Sequence, residues 1–164
     1  MSTTVAPIQS TQVGNYQEDL ATLMMRVLTG RAEILDENVR AQASQIAEKN
    51  ALLKEANVFL AEARIKQSDA GDGTSTMSTE MKAFFDSNNI KYDTTGNDDK
   101  HNKDEWGINI ENMQTFIDSL TSTSQMDLID LQSTMDKYGE TFDLLTNFLS
   151  KYAGKIDAIQ GNIR

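Results

Sequence analysis

Between Asp93 and Glu105 the chain concentrates the residues that could do chemistry: Asp93, Asp98, Asp99, His101, Asp104 and Glu105. An acidic loop suggests calcium, whose EF-hand sites take ligands at alternate positions. An EF-hand loop also needs a glycine at its sixth position and a glutamate at its twelfth. Counted from Asp93, those places hold Asp98 and Asp104; counted from Asn97, they hold Asn102 and Ile108. Neither frame fits, so the stretch reads as a charged, solvent-facing loop without a metal site. His101 is the single histidine and lies among Lys100, Asn102 and Lys103. No partner stands at a useful spacing, so it reads as a surface residue with no catalytic role. Gly71-Asp72-Gly73 is followed by no P-loop lysine or dinucleotide pattern, and no serine stands in a nucleophile elbow. The expectation is a chain that is not an enzyme and carries no cofactor.

Composition narrows the classes further. Of 164 residues, 38% are apolar, a low share for a globular domain. A thin core of paired helices fits that share better than a spherical one. The formal charge of −10 disfavours nucleic acid, whose phosphates need a basic face, and anionic membranes. The absence of cysteine excludes disulfides, thiolate metal sites and cysteine nucleophiles. No stretch approaches the roughly 20 apolar residues of a membrane span. Residues 1–15 hold the only proline, Pro7, and are rich in Ser, Thr and Gln. They lack the basic start and apolar run of a Sec signal peptide. Two readings stay open for them: a disordered leader, or an uncleaved export signal.

The elements around these segments are long helices. The first is expected from about Tyr16 to residue 67. Its heptad line is Met25, Leu28, Ala32, Leu35, Val39, Gln42, Ile46, Lys49, Leu53, Ala56, Leu60 and Ala63. Gln42 and Lys49 are polar places in that seam, the kind that fixes register or partner choice. Met24, Val27, Ile34, Leu52 and Phe59 widen the apolar stripe and call for a further helical neighbour. Ser68 to Ser75 is a breaker run with Gly71 and Gly73. A short helix follows, capped by Ser78 or Thr79, with Met81, Phe84 and Phe85 on one face. Ile90-Lys91-Tyr92 reads as a small strand. Trp106 to Ile110 reads as a second small strand or as the entry to the last helix.

The last helix is expected over 110–164. Its stripe is Leu128, Leu131, Met135, Tyr138, Phe142, Leu145, Leu149, Tyr152, Ile156, Ile159 and Ile163, in alternating steps of three and four. Such spacing places all of them on one face. Gly139, Gly154 and Gly161 weaken this helix locally and would let another backbone come close. The fold expected is mostly all-α: a long antiparallel coiled-coil hairpin with a small mixed insert over 68–109, all in one elongated domain over 16–164. Leu28, Leu35, Val39, Ile46, Leu53 and Leu60 would meet Leu131, Met135, Tyr138 and Phe142 in the seam inside the molecule. Phe84, Phe85 and Trp106 would pin the insert.

The run Phe142-Asp143-Leu144-Leu145-Thr146-Asn147-Phe148-Leu149-Ser150-Lys151-Tyr152 resembles the C-terminal helix of the hydrophilic translocators of type III secretion. These include V-antigen needle-tip proteins and EspA-like filament proteins. The spacing of Phe148, Lys151 and Tyr152 is similar to the V antigen's final helix. Ala51-Leu52-Leu53-Lys54 through Ala61-Glu62-Ala63-Arg64-Ile65 is similar to its other coiled-coil helix. The order of polar leader, helix, insert and helix also matches; a large N-terminal domain does not, which favours the filament type. The resemblance implies export without cleavage to the bacterial cell surface. It also implies a cytoplasmic chaperone before export, and self-assembly into a filament or tip complex that meets needle and translocon proteins. It places Leu145, Leu149, Tyr152, Ile156, Ile159 and Ile163 on the assembly helix. The alternative expectation is a cytoplasmic coiled-coil adaptor or secretion chaperone.

Overall fold

A computed structural model of the chain describes residues 11–162. The architecture is all-α: two long helices, α1 (Thr11–Ala70) and α3 (Lys103–Asn162), form a helical hairpin around a small insert. The insert contains β1 (Ser75–Thr76), α2 (Thr79–Ser87) and β2 (Lys100–His101), with a 3-10 turn at Thr95–Asn97. Of the leader expected over residues 1–15, the part up to residue 10 lies outside the described residues, and Thr11 already belongs to α1.

Local chemistry sets the ends. α1 stops at Gly71, whose φ of 51° is left-handed backbone that glycine adopts without penalty. α2 starts where the Ser78 hydroxyl accepts the Met81 N–H at 3.2 Å. α3 starts at a capping box. Asn102 Oδ1 accepts the N–H groups of Asp104 and Glu105, and Glu105 Oε2 accepts the N–H of Asn102 at 2.7 Å. This cap corrects the expected boundary, because α3 begins at Lys103 and not near Ile110. Trp106 to Ile110 is therefore helical, and the polar run before it is a helix start. The expected strand at Ile90 to Tyr92 is not formed. The strand pair lies instead at β1 and β2, antiparallel, with Ser75 opposite His101 and Thr76 opposite Lys100.

By their contacts the residues fall into two compact units. One is Gln42–Asp130. Its core joins Ala56, Leu60, Ala63 and Ala70 of α1 to Met81, Phe84 and Phe85 of α2 and to Trp106, Met113 and Ile117 of α3, with Met77 and Ile90 from the connections. The fully buried alanines Ala56 and Ala63 let neighbours close onto α1. Phe84 lies 4.9 Å from Phe59 and 6.2 Å from Phe116, and Phe85 lies 5.6 Å from Tyr92, measured between ring centroids. Burying one such ring contributes about 1.5–3 kcal/mol. The insert thus covers Phe59 of the surplus stripe on α1, and Leu52 packs against the same core.

The other unit holds residues up to Ala41 and from Leu131 onward. On α1, Ala21 is buried, and Leu28, Ala32, Leu35 and Val39 are half-buried. On α3 the less exposed line is Leu131, Thr134, Tyr138, Thr141, Leu145, Phe148 and Tyr152. This corrects the expected seam. Met135 and Phe142, assigned to the interior, are each 54% exposed, whereas Thr141 is 0% exposed. A stripe with alternating steps of three and four can keep every second member and exchange the rest for the preceding residue, a rotation of about 100° per exchanged place. Threonine tolerates the inward place because its hydroxyl is satisfied on its own helix: Thr141 Oγ1 donates to the Lys137 carbonyl at 2.8 Å.

Gly139 is exposed, and a methyl group there would meet nothing within 4 Å. Gly139→Ala should therefore stabilise the isolated chain by about 1 kcal/mol, read from urea unfolding followed by circular dichroism. A loss of stability would show that this face of α3 is already occupied in the monomer.

Candidate functional site

Two places on the chain carry more than packing. The first is the junction of the insert with α3, built around Trp106, which is fully buried. Its indole N–H donates to Ser75 Oγ at 2.7 Å, and that hydroxyl donates in turn to the Lys66 carbonyl at 2.6 Å. One serine thus ties α1, β1 and α3 together. Gln67 Nε2 adds a bond to the Lys103 carbonyl at 3.0 Å. From α2, Lys82 pairs with Asp99; that hydrogen bond raises the lysine pKa above its ordinary value, with desolvation acting against it.

The same junction corrects the reading of His101. It is 1% exposed and packs edge-to-face on Trp106, the ring centroids 5.0 Å apart. Both ring nitrogens are buried without a hydrogen-bond partner. Beside the ring stand Asp93 and Glu105, both half-buried, and the three residues offer ligand atoms within 4.8 Å of one another. Each carboxylate is held from behind. Asp93 Oδ1 and Oδ2 accept the Thr95 N–H and hydroxyl, and Glu105 Oε2 accepts the Asn102 N–H. Asn109 Oδ1 accepts the Asp93 N–H at 2.7 Å. The EF-hand frame could not find this set, because its members lie eight and four residues apart and arrive from a loop, a strand and a helix start. The spacing of His101 to Glu105, one helical turn across a helix start, was the only available signal.

The polar places in the α1 line behave differently from each other. Lys49 pairs with Asp127, both partly buried, in the seam of the unit Gln42–Asp130. With the Gln67–Lys103 bond, this tie shows α1 and α3 running antiparallel in that unit. Gln42 Oε1 is buried with no partner.

The second place is a set of apolar side chains that the fold leaves uncovered. On α3, Met135, Phe142, Leu149 and Ile156 recur every seven residues and all are exposed, as is Ile159. On α1, Leu20, Val27 and Ile34 do the same, 56–61% exposed. Of the expected assembly residues, Leu149, Ile156 and Ile159 thus face outward, Leu145 and Tyr152 are half-buried on the inward line, and Ile163 lies outside the described residues. Of the expected seam, Ile46 and Leu60 are buried, and Leu28, Leu35, Val39, Leu53, Leu131 and Tyr138 are half-buried. Phe84, Phe85 and Trp106 are all in the core of the unit Gln42–Asp130.

No family model, curated protein or solved structure matches the chain. Its function has to be argued from these two places. No described helix is long and apolar enough to cross a membrane.

Ser75→Ala removes both bonds of the junction serine and leaves the Trp106 N–H buried without an acceptor. It should cost about 1–3 kcal/mol in urea unfolding followed by Trp106 fluorescence. An unchanged midpoint would mean that water replaces the hydroxyl.

Proposed function

We propose that this chain is a secreted structural subunit of a type III needle extension, a filament before a tip complex, which assembles through its long helices and conducts effectors towards a host cell. The role is non-enzymatic, with a cytoplasmic chaperone before export and needle and translocon proteins as neighbours. The observation that carries the proposal is the line of four residues seven apart, Met135, Phe142, Leu149 and Ile156, standing in solvent on α3. Single exposed apolar residues need no explanation. A line with the period of a helical seam does, because it matches the face that a further helix of the same kind would cover. The matching line on α1, Leu20, Val27 and Ile34, supports the same reading. A net charge of −10 opposes association, so contacts of this kind must be apolar and should strengthen as salt screens the repulsion.

Phe142→Asp and Leu149→Asp test the proposal separately from folding, since both side chains are exposed in the single chain. Light scattering and negative-stain electron microscopy across a concentration series should show wild-type polymers of uniform width. Each variant should stay monomeric with an unchanged circular dichroism spectrum. A wild-type chain that never associates, or variants that polymerise normally, would remove the filament reading. A reporter fused to residues 1–15 should be exported by a cell with a type III apparatus; retention in the cytoplasm would move the weight to an adaptor or chaperone.

A further inference from the structure

We propose that Asp93, His101 and Glu105 form a binding site for one divalent transition-metal ion, with Zn²⁺ the best match. This inference is independent of the assembly reading, since all three residues belong to the compact unit Gln42–Asp130.

His101 is the observation that demands a ligand. A neutral imidazole has one N–H to donate and one lone pair to accept with. Buried at 1% exposure with neither satisfied, it stands against the general rule that buried polar atoms find partners. Leaving such groups unmet costs about 1–3 kcal/mol each. The ring offers a nitrogen to a space that two carboxylates also face, with all three ligand atoms within 4.8 Å of one another. A tetrahedral ion with bonds of about 2.1 Å sets its ligands roughly 3.4 Å apart. Closing the set from its present spacing therefore needs side-chain adjustment of an ångström or so, not a change of backbone.

The donor set selects the ion class. Calcium and magnesium take oxygen ligands and avoid imidazole. One imidazole nitrogen with two carboxylate oxygens suits Zn²⁺ and its first-row neighbours, and it leaves a position for water. The two carboxylates have supporting bonds, and the ring is held by packing. Trp106 fixes the plane of the His101 ring, Thr95 holds Asp93, and the Asn102 N–H orients Glu105. The three ligands come from the loop after Ile90, from β2 and from the first turn of α3. A bound ion would therefore clip the insert to the start of α3.

The test is titration of the chelator-treated, full-length chain with ZnCl₂, by calorimetry and by fluorescence of Trp106, the only tryptophan. One equivalent should bind saturably and change the Trp106 emission, while CaCl₂ and MgCl₂ at the same concentrations leave it unchanged. His101→Phe and Glu105→Gln should each weaken Zn²⁺ binding at least about tenfold. Glu105→Gln keeps a carbonyl for the Asn102 N–H, so it decides the matter should His101→Phe fail to fold. No Zn²⁺ uptake by the wild type, an equal response to calcium, or wild-type affinity in a folded Glu105→Gln chain would each overturn the site.

Discussion

The structure depends on the rotational phase in which α3 meets α1. Each helix has one inward line, and whatever lies off it must be covered by something else or face water. In the compact unit Gln42–Asp130 that phase brings Asp127 against Lys49, an ion pair in a seam of apolar residues. A partly buried pair of this kind adds little net stability, yet separating its members strands a charge, so it penalises any other register. In the unit that holds the remainder of both helices, the inward line is completed by Thr134, Thr141 and Phe148, and Met135, Phe142 and Leu149 stay out. A purely apolar seam would have discriminated poorly between these phases, since both share Leu131, Tyr138, Leu145 and Tyr152.

The insert has a different physical basis. It is too small for a core of its own and borrows one from the helices. Phe84 fills the space beside Phe59 and Phe116, Phe85 packs on Tyr92, and the Ser75 hydroxyl satisfies the indole of Trp106. The two-residue strands contribute few bonds, so the aromatic packing and the serine carry the attachment. Around it the polar residues are tightly used: Asp93, Asn102, Glu105 and Asn109 each bond backbone groups that would otherwise be unmet. The exceptions are the two ring nitrogens of His101 and Nδ2 of Asn109, and an ion at the ring would satisfy one of them.

Much of the hairpin was legible in the sequence, because heptad spacing is a long-range signal repeated many times. The α1 line from Leu28 to Ala63 faces inward as its periodicity indicates, and Phe84, Phe85 and Trp106 are core residues as their size and setting suggest. The α3 phase was not legible. Threonine counts as polar in a periodicity argument, and only the backbone bond from Thr141 to Lys137 makes it acceptable inside. The start of α3 was legible but missed: Asn102 with Glu105 three residues later has the spacing of a capping box, and the charged run around it masked that signal. His101 was misread because its burial comes from the β1 strand, distant in sequence, and from the Trp106 ring one helical turn and more beyond it, while its immediate neighbours are polar.

The most direct measurement exploits the absence of cysteine from the chain. Thr141→Cys and Phe142→Cys each place a single thiol at adjacent positions, one inward and one outward, and their alkylation rates in dilute protein report the phase of α3. The account predicts that Phe142→Cys reacts at nearly the rate of a free thiol and that Thr141→Cys is strongly protected until the chain unfolds. Protection at position 142 with rapid reaction at 141 would contradict it, and would return the apolar stripe to the interior of the monomer.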